Sequence, residues 1–175
     1  MKKLLMMGLM MAVSGCAVQA AAPDPSDWNS QATQELKAAA DKMFKDLDKG
    51  DSGAILSWKD LNPSVFDVDP ENKAVQFYGE AEVSKYLGSM TEAVKAGLKI
   101  KSVVKRSDCQ ATASMGFCTI EFDQTATMGD QTMGPSKFRG TMIARKLPSG
   151  WKWTHWHGSF REMPAMAAMP AEHAH

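Results

Sequence analysis

The sequence predicts an α+β domain, with helices packed on one face of an antiparallel sheet. Apolar residues recur at helical spacing through the first half of the chain beyond residue 30. Four long strand-like segments, joined by loops containing Gly and Pro, fill the rest. The 175 residues, with no internal repeat, suffice for one domain with a real core.

Residues 1–16 stand apart from the fold. Lys2 and Lys3 form a positive start, and residues 4–13 make an apolar stretch too short to span a bilayer comfortably. This pattern reads as a secretory signal peptide. Its end, Val13-Ser14-Gly15-Cys16, resembles the lipobox of bacterial lipoproteins. That resemblance implies cleavage before Cys16 and acylation of its thiol, with Ala17 arguing for the outer membrane. Val18-Gln19-Ala20 also offers small residues for ordinary cleavage. Residues 17–30, rich in Ala, Pro and Asp, form a tether with a reach on the order of 20 Å. The expected location is the periplasm or the outer membrane, with lipid as the only membrane contact.

The domain itself is expected over residues 31–161. Leu36, Ala40, Met43 and Leu47 mark a first helix over residues 30–47, stopped by Gly50. Asp51 or Ser52 can cap a second helix carrying Ile55, Trp58 and Leu61, ended by Asn62-Pro63. Short strands follow at residues 65–69 and 74–78. Gly79 opens a third helix whose stripe is Val83, Tyr86, Leu87, Met90 and Val94. Strands are then expected at residues 98–108, 117–128, 136–146 and 151–160.

Formal net charge is zero, and no basic stripe interleaved with aromatics is present, which argues against nucleic acid as a partner. Once Cys16 is set aside, Cys109 and Cys118 remain. In an oxidising compartment such a pair is a disulfide candidate across a hairpin. No cofactor is implied.

The run Trp151-Lys152-Trp153-Thr154-His155-Trp156-His157-Gly158-Ser159 is the densest cluster of chemistry. Strict alternation would put Trp151, Trp153, His155, His157 and Ser159 on one face. A neutral imidazole can act as a general base near neutral pH. The same pair can ligate a metal only with a third ligand, and either ring can serve as a buried structural residue. On the neighbouring strand the histidines face either Met142 and Gly140 or Thr141 and Arg139, since a one-residue slip exchanges the faces. Arg139, Tyr78 and Tyr86 are candidates to steady an oxyanion, and Trp153, Thr141 and Trp58 to line a pocket. Glu121 and Asp123 share a face that reads as solvated.

The tail, residues 162–175, places Met163, Met166 and Met169 at three-residue steps before His173 and His175. Thioethers and imidazoles are the donor types that hold copper outside the cytoplasm, which makes these residues a candidate metal set. The same composition also suits a chain with no packed structure.

Several of these features together resemble a SnoaL-like domain of the nuclear-transport-factor-two-like superfamily. They are Thr141 and the apolar strand after it, Arg145-Lys146, the Gly-containing turn, Trp151 and His155-Trp156-His157-Gly158-Ser159. Gly79-Glu80-Ala81-Glu82-Val83 is similar to the start of that family's third helix. The resemblance implies a cone: a strongly curved antiparallel sheet wrapped around three N-terminal helices and open at one end. The superfamily includes isomerases, dehydratases, cyclases and non-catalytic modules, so the fold leaves function open. The sequence favours a non-catalytic module for binding or assembly, with a small apolar or carbonyl-bearing ligand. Its alternatives are an isomerase or dehydratase with a pocket histidine as base, and an envelope copper protein acting through the tail. Homodimerisation through the outer sheet face is also implied, and an exposed Trp156 or Phe160 would mark it.

Overall fold

The computed structural model describes residues 27–68 and 73–162. The predicted acylation site Cys16 and the tail ligands Met163, Met166, Met169, His173 and His175 lie outside them.

The order of elements is α1 (Ser30–Lys49), α2 (Ser52–Leu56), β1 (Lys59–Val68), β2 (Ala74–Tyr78), α3 (Gly79–Lys95), β3 (Lys99–Ala111), β4 (Met115–Met128), β5 (Gln131–Leu147) and β6 (Gly150–Phe160). Local chemistry explains the helix ends. Asn29 caps α1 by accepting from the Ala32 N–H, and Gly50 closes it in the left-handed conformation at φ 67°. Asp51 caps α2. That helix is shorter than the spacing of Trp58 and Leu61 predicts. Residues 59–64 join β1 instead, where Pro63, which cannot donate within a helix, has its side chain fully buried.

The strands form one curved six-stranded sheet in the order β2-β1-β6-β5-β4-β3, and it is not closed. All neighbours are antiparallel except β1 and β6, which run parallel. Helix α1 packs against β3, β4 and β6, and α3 against β1 and β2, all on the concave face. Leu36, Ala40 and Phe44 of α1 and Val83 and Leu87 of α3 meet Ile120, Phe122, Met142, Ala144 and Trp153 in the core.

Burying a Leu- or Phe-sized side chain contributes roughly 1.5–3 kcal/mol, so this cluster is the main source of stability. Cys109 and Cys118 form a disulfide linking directly opposed positions of β3 and β4. At the rim of the outer face, buried Asp60 is held by the Arg145 guanidinium, with Arg145 Nη2 2.8 Å from Asp60 Oδ1. That hydrogen bond draws the Asp60 carboxyl below its usual range.

Candidate functional site

Strand β6 does not keep the alternation expected from its sequence. Ile143 pairs with His155, whereas Ala144 pairs with Trp153, so Thr154 is an extra residue in the ladder. Its hydroxyl donates to the Ile143 carbonyl at 3.3 Å. This bulge reverses the faces of the strand. Trp151 and Trp153 point inward on one side of it; Trp156, Gly158 and Phe160 point inward on the other. His155, His157 and Ser159 are therefore on the outer face, away from Trp151 and Trp153.

The register resolves the choice left by the sequence in a mixed way. His157 faces Thr141, His155 faces Ile143, and Arg139 faces Ser159. Arg139 donates to the Ser159 hydroxyl at 3.1 Å. His155 Nδ1 is 2.8 Å from the Ser64 hydroxyl, and its ring meets Phe66 edge-on. Burial, and after it the charge of His157, lower the His155 pKa. Tyr78 also stands outside: its ring lies edge-on to Phe66, and its hydroxyl donates to Gln76 at 3.1 Å.

The remaining expected residues are dispersed as well. Trp58 and Trp153 line a cavity of about 30 Å³ between α1 and the sheet, together with Met43, Met142 and Trp151. That is room for about one water molecule. Thr141 is on the opposite face. Trp156 and Phe160, which would have marked a dimer face if exposed, point into the interior. Glu121 is on the outer face with Arg161 2.7 Å away, and Lys105 is 3.3 Å from Asp123. Among the described residues, no three His, Cys, Asp or Glu side chains converge as a metal site requires.

Of the candidate side chains, the structure brings Tyr86 to an interior polar site, and its partner there is Asp67, which sequence reasoning missed. Asp67 is near the inner end of β1. Its Oδ1 accepts from the Val68 N–H at 2.9 Å, and its Oδ2 accepts from the Tyr86 hydroxyl at 2.9 Å. The Trp156 indole is the next polar group beside this carboxylate and, like the Val68 and Tyr86 donors, favours its charged form. Burial raises the Asp67 pKa, against the pull of these donors. Burial raises the Tyr86 pKa too, reinforced by the neighbouring carboxylate.

Two directly opposed glycines, Gly140 on β5 and Gly158 on β6, let Trp156 and Asp67 pack closely against the sheet here. A Cβ on Gly140 would lie 2.6 Å from Trp156 Cη2, and one on Gly158 would lie 2.4 Å from Asp67 Oδ1. Aromatic rings pack in pairs around this site. Phe77 stacks on Tyr86 at 4.9 Å, Phe122 on Phe138 at 5.3 Å, and Phe138 on Phe160 at 4.6 Å. The available signal was the pair of glycines inside strands, where a close approach is the usual cause.

The SnoaL-like domain family matches residues 36–165. The chain belongs to the SnoaL-like domain family. No curated protein gives a significant match. Solved structures share the architecture. One, from Streptomyces avermitilis, is described as a candidate dehydratase of the NTF2-like family. It is 17% identical with a TM-score of 0.62, over 76% of this chain and 98% of that one. A second, an NTF2-like protein of unknown function from Pseudomonas putida, is 15% identical with a TM-score of 0.61, over 78% and 99%. A third, an NTF2-like superfamily protein from Salmonella enterica serovar Typhimurium, is 16% identical with a TM-score of 0.60, over 80% and 98%. These likenesses establish the fold of this SnoaL-like domain. The expected cone matches it in its element order and its curved sheet.

Proposed function

We propose that this SnoaL-like domain is a non-catalytic binding module, exported and held at the cell envelope through an acylated Cys16. Its aromatic interior takes a small apolar or carbonyl-bearing molecule. The observation that carries this reading is the state of Asp67. A general base needs a free lone pair aimed at its substrate. Each oxygen of Asp67 is instead held by a protein donor, Oδ1 by the Val68 N–H and Oδ2 by the Tyr86 hydroxyl, which fixes the carboxylate against the protein. The histidines are across the sheet. Stacked aromatic side chains around one fixed polar group suit a neutral ring system. Export is supported by Lys2-Lys3, the apolar stretch, the lipobox-like end and the disulfide. The outer face is offered to a second copy, since Phe66, Tyr78 and Ile143 are exposed there.

Titration with 2-naphthol, followed by tryptophan fluorescence, tests the ligand reading. Saturable quenching that weakens in Phe138→Ala is expected; no saturable change would overturn it. Sedimentation tests the pairing, with Phe66→Glu expected to yield monomers.

One observation favours a second reading, an isomerase or dehydratase: the raised pKa of Asp67. In that case the base is Asp67, with Tyr86 beside it, rather than a histidine.

A further inference from the structure

The edge strand β3 carries a feature unrelated to the interior. Helix α1 clamps this edge at both ends. At one end the Asn29 N–H donates to the Ala111 carbonyl at 2.8 Å, and the Ala111 N–H donates to the Thr33 hydroxyl at 3.0 Å. At the other end the Ser102 N–H donates to Asp48 Oδ1 at 2.7 Å. Backbone groups on a strand alternate between its two sides. The β-bulge between Val104 and Arg106 shifts that alternation by one residue. The outward groups between the clamps are therefore those of Val104, Ser107 and Cys109. Among the described residues, nothing outside the sheet is bonded to them.

A groove of about 420 Å³ opens at this stretch. Lys37, Asp41 and Lys45 line its helix side, and Lys105, Arg106 and Ser107 its strand side. Four cations line the groove with Asp41, and Asp123 and Asp108 pair with Lys105 and Arg106, which leaves a small positive excess centred on Lys45. Asp41 is 3.5 Å from Lys37, and Lys45 has no ion pair among the described residues. Lys105 and Arg106 are well exposed despite their carboxylate neighbours. Edge-to-edge pairing of two copies would bring these cations together, which disfavours self-association.

We infer that the groove between α1 and β3 docks an extended acidic segment of another protein, which adds to the sheet at the edge of β3. Main-chain hydrogen bonds to Val104, Ser107 and Cys109 hold it, and its carboxylates meet Lys37, Lys45, Lys105 and Arg106. The open stretch accommodates about six extended residues, roughly 20 Å. Because the cations are at the surface, salt weakens the complex.

The test uses the full chain and a fluorescein-labelled Glu-Val-Glu-Val-Glu-Val peptide, followed by fluorescence anisotropy. A second peptide is N-methylated on alternate amides and carries the same charge. Saturable binding of the first is expected, at least tenfold weaker for the methylated peptide and for the Lys45→Glu/Lys105→Glu variant. Because both substitutions are at the surface, the variant keeps the wild-type melting temperature. In wild type, peptide-induced amide shifts in nuclear magnetic resonance spectra fall on Val104, Ser107 and Cys109. Equal affinity for the two peptides overturns the strand-addition claim. No peptide binding, or binding of phosphatidylglycerol vesicles in place of the peptide, overturns the assignment altogether.

Discussion

The Tyr86 hydroxyl stands 2.9 Å from Asp67 Oδ2, joining helix α3 to strand β1 across the interior. Neither group is near the two histidines that dominate the C-terminal sequence. The polar centre of this SnoaL-like domain is a carboxyl held by protein donors.

Removing the Tyr86 hydroxyl leaves Asp67 Oδ2 short of a donor in a half-buried setting. Tyr86→Phe keeps the stacking on Phe77 and is expected to cost about 1–3 kcal/mol. Urea denaturation measures it. The pH dependence follows from Asp67 itself. Its folded pKa is above the ordinary 3.8, so the ionised form is the less favoured one in the fold. The Asp67 contribution is then fully present below that ordinary value and is lost as pH rises through the raised one. Asp67→Asn removes this slope, which denaturation at mildly acidic and neutral pH detects.

Gly158 faces Gly140, and a methyl group at either position enters occupied space. Gly158→Ala pushes on the Asp67 carboxylate and is expected to destabilise by about 1–3 kcal/mol. Because a Cβ at Gly158 also lies 3.1 Å from Trp156 Nε1 and one at Gly140 meets the same ring, the double variant loses less than the two single losses added together. Chemical denaturation of all three variants checks this.

His155 gives the outer face an acid-sensitive element. The group faces Ser64, Phe66, Ile143 and His157, and its pKa is below the ordinary 6.5 because of burial first and His157 second. Its contribution is present above 6.5 and is lost as pH falls through the lowered value. His155→Gln removes that part of the acid sensitivity. His157→Gln moves the His155 titration upward, as read by nuclear magnetic resonance.

The Cys109–Cys118 bond closes a loop of sequence separation 9 between an edge strand and its neighbour. The paired serine variant is expected to lose about 2–3 kcal/mol by the chain-entropy argument. Thermal unfolding with and without reductant measures the same loss independently.

Much of the fold was legible because its signals are local. The Asn29 cap, the stop at Gly50, the stripe of α3 and the long strands all follow from nearby residues. The face of β6 was not, because a bulge at Thr154 carries no strong signal of its own and one inserted residue reverses every side chain beyond it. Asp67 was missed for a different reason. It reads as one acidic residue at the end of a short strand, and its meaning comes from Tyr86, 19 positions away, and from Trp156 on a strand that pairs in parallel. Gly140 and Gly158 were visible in the sequence, but the close approach they permit depends on the pairing of β5 with β6.

The most direct test of the account is turnover. Wild type and Asp67→Asn would be incubated with a panel of neutral enolisable ketones and β-hydroxy ketones, and products followed by mass spectrometry. The account predicts no product above the buffer control from either protein. Product formed by wild type and abolished in Asp67→Asn would contradict it, and would make Asp67 the base of an isomerase or dehydratase.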